Sequence, residues 1–208
     1  MGTDVIRTLI LAVAAAAVAA GCATTTDPAV YQAQAVDLMK RDFHSNGIAK
    51  VEWLNQDELQ KACSTYDGRL PPELGKRLEA AQLATIRYPA DGNFMGDWKR
   101  GESIAQSGRG STWTDTPGEP GGGSCYNCHQ LAPQTTSFGT IGPSLRDFGK
   151  IRGYSGAMQK YAYERIYNSK AFNACSAMPR FGHAGALTEQ QIKDLVALLM
   201  DPSSPVNK

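Results

Sequence analysis

Two thiols and an imidazole fall within five consecutive residues of this 208-residue chain: Cys125, Cys128 and His129, in the stretch SCYNCHQLAP. Side chains of these types at this spacing can do three kinds of chemistry. The thiols can add across the two vinyl groups of one porphyrin, with the next residue's imidazole under the iron, the attachment pattern of a c-type haem. They can form half of a four-ligand zinc shell. They can cycle as a redox disulfide, which wants a strand-to-helix setting. The zinc reading needs two more ligands from Cys63, Cys175, His44 and His183, and none of these forms a second cluster with finger-like spacing. The redox reading meets a motif that follows Gly121, Gly122 and Gly123 in a chain with no α/β pattern. The five residues therefore read as the site of one covalent haem c, with Cys125 and Cys128 as thioether anchors and His129 as an axial ligand to iron.

The other axial position decides what such a site does. Six-coordinate iron moves electrons, whereas an open position binds or activates small molecules. Among six methionines, Met178 lies in SAMPRFG, where Pro179 and Gly182 keep a loop extended and leave the thioether free to approach opposite His129. His183 and His44 are its rivals. Met39 and Met200 sit on helices and read as packing residues, and Met95 and Met158 sit in turn-like surroundings. The histidine also needs its second ring nitrogen oriented. In IGPSL, Pro143 has no N–H, and its carbonyl is free to accept from that nitrogen. Arg146 and Arg180 read either as haem-propionate partners or as solvated surface. Trp113 reads as an interface anchor or as a cover for the haem edge.

The N-terminus bears on redox compartment. Arg7 precedes the uncharged run LILAVAAAAVAA, which has the length of a signal-peptide core and is shorter than the about 20 residues a spanning helix needs. Residues 1–22 read as a leader. Ala19 to Cys22 resembles a lipobox, which would leave Cys22 acylated as the mature N-terminus; ordinary cleavage near Gly21 to Ala23 is the alternative. Either way the expected location is the periplasm. Of five cysteines, removing Cys22 and the Cys125/Cys128 pair leaves Cys63 and Cys175, which in an oxidising compartment read as a disulfide. The formal charge of +1 argues against nucleic-acid binding, which would need a basic excess or stripe.

The elements that must position these residues read as helices and loops throughout. Asp27 caps a helix whose Tyr31, Ala35, Leu38 and Met39 share a face. A second helix is expected from Asn55, with Glu58 as capping partner, ending near Gly68. A third spans Glu73 to Ile86, and Tyr88 to Gly92 is a turn. KRGESIAQSG is a helix, and Gly108 to Ser124 is a Gly/Pro/Ser/Thr-rich loop. A helix spans Gly156 to Tyr167, and a last one starts at Thr188, with Gln191 completing a capping box. The class is all-α with long loops. The expected division is a helical N-terminal extension, 23–95, before a haem domain, 96–208.

From Gly101 to Leu199 the chain resembles a class I cytochrome c domain, through GESIAQSG, CYNCH, IGPSL, AMPRFG and LTEQQIKDLVALL. More narrowly it resembles the SoxX family, the monohaem subunits of the SoxAX complex of sulfur oxidation, through YPADGNFMGDWKRGESIAQSG, IGPSLRDFG and YERIYNSKAFNACSAMPRFG. The resemblance implies a heterodimer with a SoxA-type cytochrome, a SoxYZ carrier protein served through the complex, and a diffusible cytochrome c as electron acceptor. It implies an electron-accepting subunit of a heteromeric L-cysteine S-thiosulfotransferase that couples thiosulfate oxidatively to a carrier cysteine, with no catalytic nucleophile in this chain. A free-standing periplasmic electron shuttle is the alternative. The long N-terminal region and the insert before Cys125 exceed shorter members of that family.

Overall fold

The structure is a computed structural model that describes residues 27–110, 112–119 and 121–208. The leader and Cys22 lie outside the described residues. Every regular element described is helical, and the only β pairing among the described residues is an isolated bridge between Asn46 and Ala49. No helix among them is long and apolar enough to cross a membrane.

The chain divides into two units, residues 1–44 and 45–208. The first is described from Asp27, and its described residues hold α1 (Pro28–Asp42). Asp27 caps it by accepting from the Ala29 amide at 2.9 Å, and Pro28 opens the first turn. No residue of α1 is buried. Met39, expected to pack, is exposed along with Tyr31 and Leu38.

The second unit holds six α-helices among its described residues. They are α2 (Glu58–Thr65), α3 (Pro72–Leu83), α4 (Trp98–Gln106), α5 (Phe148–Arg152), α6 (Gly156–Tyr167) and α7 (Glu189–Met200). The start of α2 corrects the expectation from sequence. Its N-cap is Asp57, not Asn55, and the capping box closes through Gln60, not Glu58. Leu59, Ala62 and Cys63 share the inward face of this helix. Helix α5 and the turn Ser169–Ala171 were not read from sequence; both are too short for a periodic pattern to declare itself. Met158 lies in the first turn of α6, not in a loop.

The main core is built around α7, whose residues from Gln191 to Met200 are all buried. It crosses α4 closely. A Cβ on Gly101 would run into the backbone of Asp194, so only glycine lets these two helices approach so near. Asp194 fastens the crossing: its carboxylate accepts from the Arg100 guanidinium at 2.9 Å twice, from the Asp97 amide at 2.8 Å and from Gln190 at 2.9 Å. Ile86, Leu131, Phe148, Tyr163, Ile166 and Leu187 complete this core from the other elements. A smaller apolar cluster joins α2 and α3 to the 174–175 segment through Leu59, Leu78 and Ala174.

Candidate haem-attachment site

The Cys-x-x-Cys-His segment is carried by α4 and by the loop that returns to it. The chain leaves α4 at Gln106, makes the excursion from Gly108, and comes back beside its own starting point. The amides of Gly122, Gly123 and Ser124 donate to the carbonyls of Arg109, Ile104 and Ser107 at 2.8, 2.9 and 2.8 Å. Gln191 of α7 pins the returning strand by donating to the Gly121 carbonyl at 2.7 Å. Ser124 then adopts a left-handed conformation, φ 45° and ψ 38°, at a cost of about 1 kcal/mol for a residue with a Cβ. That reversal turns the chain into the 3-10 turn Cys125–Asn127.

The turn is tight. Both the Cys128 and His129 amides donate to the Cys125 carbonyl, at 3.1 and 2.9 Å. Cys125 and Cys128 are half-buried and are not bonded to each other. Burial pushes the Cys125 thiol up to about 12, the opposite of the lowered thiol that a redox Cys-x-x-Cys pair uses.

The segment 139–145 folds back over the turn. Amides of Gly139, Gly142 and Leu145 donate to the carbonyls of Tyr126, Cys128 and Gln130, each at 2.8 Å. This backbone ladder lays the Pro143 carbonyl 2.7 Å from Nδ1 of His129. A proline carbonyl can only accept, so Nδ1 carries the proton and the lone pair sits on Nε2. Gly142 lies flat against the same ring, and a Cβ there would overlap it. The imidazole is thus fixed in tautomer and in plane. The donor set fits a covalently bound haem: two unpaired thiols on one turn and an imidazole with its outer nitrogen free and its inner nitrogen satisfied. It does not fit zinc, because among the described residues no group of three or more His, Cys, Asp or Glu side chains comes together to hold a metal ion.

Met178 is half-buried and packs on the same core as Cys125, Tyr126 and Leu145. Its loop is held from inside by Ser169, which donates to the Met178 carbonyl at 2.7 Å, and by Lys170, which donates to the Ser176 carbonyl at 2.7 Å. The rival His183 is exposed; partial burial and the Arg180 charge hold its imidazole below the usual range, against the opposing pull of Asp57. His44 is exposed and lies in the first unit. Cys63 and Cys175 form a disulfide, as the cysteine count predicts.

Two arginines differ in their surroundings. Arg146 is exposed beside Asp147 at 3.2 Å. Arg180 is largely buried, 2.7 Å from the Asp57 carboxylate and 3.1 Å from the Gln82 amide oxygen. Burial raises the Asp57 carboxyl, but the Gln60 amide and the Arg180 guanidinium outweigh it and hold the group below the usual carboxylate range. Sequence reasoning did not find Asp57 or Gln82, since each is an ordinary helix-end residue until the chain folds. Trp113, in the excursion, is exposed.

No protein-family model matches the chain. A curated protein of Aquifex aeolicus (strain VF5), described as an uncharacterized lipoprotein, is 44% identical over 161 residues, which cover 74% of this chain and 73% of that protein. Identity at that level over that span is a shared fold and a shared descent, and the chain belongs to the family of this Aquifex aeolicus lipoprotein.

Proposed function

We propose that the chain is a monohaem c-type cytochrome that transfers electrons. The observation that carries this reading is the fixed imidazole of His129, its Nδ1 satisfied by Pro143 at 2.7 Å, directly after two unpaired thiols on one turn. Cys125 and Cys128 would hold the group as thioethers, His129 would present Nε2 to the iron, and Met178 would supply the opposite ligand. Bound there, a haem supplies a one-electron couple, and a thioether ligand raises its potential relative to a bis-histidine site. The protein's own part is to keep the imidazole from rotating and to keep the Met178 loop in place.

More specifically, we read the chain as the electron-accepting SoxX-type subunit of a complex that couples thiosulfate to a carrier-protein cysteine, working beside a SoxA-type cytochrome in the periplasm. The long stretches YPADGNFMGDWKRGESIAQSG and YERIYNSKAFNACSAMPRFG support this. The lipobox-like Ala19 to Cys22 and the lipoprotein relative together support an acylated Cys22 as membrane anchor.

The test is expression of the exported chain together with its neighbouring reading frames in a host that matures c-type cytochromes. The expected product is coloured, carries the mass of one covalent haem, and co-purifies with a larger cytochrome. A coloured protein that purifies alone is the free-standing shuttle. A colourless protein without the added mass overturns the whole reading.

A further inference from the structure

The loop that carries Met178 is bracketed by two helices that the haem-site motif does not include. On its N-terminal side, Cys175 is bonded to Cys63 of α2, and the Ala174 amide donates to Glu79 of α3 at 3.0 Å. On its C-terminal side, Arg180 reaches Asp57, the N-cap of α2, at 2.7 Å, and Gln82, near the end of α3, at 3.1 Å. Gln82 is itself fixed: its amide oxygen also accepts from Asn168 at 3.0 Å, and Asn168 is fully buried. The Arg180 side chain is 13% exposed and the Asp57 side chain 40%, so the pair is shielded from water on the arginine side and open on the carboxylate side.

We infer that Asp57 and Gln82 are positioning residues for Met178, gripping Arg180 so that the thioether cannot swing away from its place opposite His129. The α2–α3 hairpin is therefore a part of the haem site, and the Cys63–Cys175 bond is the covalent half of the same clamp. This rests on the reading that Met178 ligates the haem iron. The two halves act on opposite ends of a short segment. With both ends released, the hydrogen bonds from Ser169, to Ser176 and from Lys170 would be left to hold the loop at Met178.

Asp57 permits a clean test because its two carboxylate oxygens do different jobs. Oδ1 caps α2 by accepting from the Gln60 amide at 2.8 Å, and Oδ2 faces Arg180. Asparagine is an equally good N-cap, so Asp57→Asn keeps the helix start and loses the ion pair. The experiment uses the full haem-loaded chain. It follows by absorption how fast added imidazole replaces the sixth ligand of the ferric protein, alongside the melting temperature and the hydrogen exchange of α2. Loss of a charge-assisted bond is expected to speed imidazole uptake about tenfold in Asp57→Asn. Arg180→Gln, which breaks the pair from the other side, is expected to do the same. Gln82→Glu in the Asp57→Asn background puts a carboxylate back beside Arg180 and is expected to return uptake most of the way to the parent rate. Met178→Ala is the reference for an open position. Fast uptake by Met178→Ala with parental uptake by Asp57→Asn overturns the inference alone, even if the melting temperature falls. Parental uptake by Met178→Ala overturns the ligation reading and the inference with it.

Discussion

The carbonyl oxygen of Pro143 lies 2.7 Å from Nδ1 of His129, fourteen residues away in sequence, and Gly142 lies against the face of the same ring. One short backbone segment therefore sets both the tautomer and the plane of the imidazole. Changing the side chain of Pro143 leaves its carbonyl in place, so the sensitive position is its neighbour. Gly142→Ala is expected to force the ring out of plane and to cost about 1–3 kcal/mol, the usual penalty for overfilling a packed site. A lower melting temperature together with a disturbed haem absorption spectrum is the expected pair of observations. An unchanged spectrum would mean that the ring has room the structure does not give it.

The disulfide closes a loop spanning 112 positions. The chain-entropy argument assigns about 4–5 kcal/mol to such a closure, with measured values commonly about 2–5 kcal/mol. Cys63→Ser with Cys175→Ser is expected to lower stability by that amount, read by chemical denaturation. It is also expected to loosen Met178, read as a change in the optical and redox properties of the haem. If those properties match the parent, the bridge does not act on the ligand loop.

Asp194 is expected to contribute to the acid limit of stability. Burial raises its carboxyl, but the hydrogen bonds from Arg100, the Asp97 amide and Gln190, with the Arg100 charge, outweigh burial and hold it below the usual range. A carboxyl that is more acidic folded than unfolded contributes stability that is present above its unfolded pKa of about 4. That contribution is lost as pH falls through the lower folded value. Asp194→Asn is expected to cost about 1–3 kcal/mol near neutrality and to flatten the acid limb of stability against pH. Urea melts across the acid range check it: an unchanged slope would assign acid unfolding to other groups.

The lipobox-like segment gives a test that does not depend on the haem. Cys22→Ser is expected to move the protein from the membrane fraction to the soluble periplasmic fraction and to remove the mass of the acyl groups. Equal partitioning of the variant and the parent would favour ordinary cleavage near Gly21 to Ala23.

Local signals were legible and distant ones were not. The caps at Asp27 and Thr188 and the span Gly156–Tyr167 appear in the structure as expected, because each depends on residues within four positions of one another. The start of α2 was misread. Asn55 with Glu58 and Asp57 with Gln60 both satisfy the spacing of a capping box, so the spacing by itself does not choose between them. Helix α1 carries a readable apolar face, yet none of its residues is buried, since periodicity reports a stripe and not what covers it.

From sequence order alone came the chemistry proposed for Cys125, Cys128 and His129, because thiols and imidazole that share one turn need only adjacency to act together. The pairing of Cys63 with Cys175 followed from counting. Which groups surround the Met178 loop depended on the folded chain: Asp57, Gln82 and Arg180 meet only when α2 and α3 pack against residues 174–183. No local pattern marks such residues, because the packing that half-buries Arg180 is also what brings Asp57 and Gln82 to it.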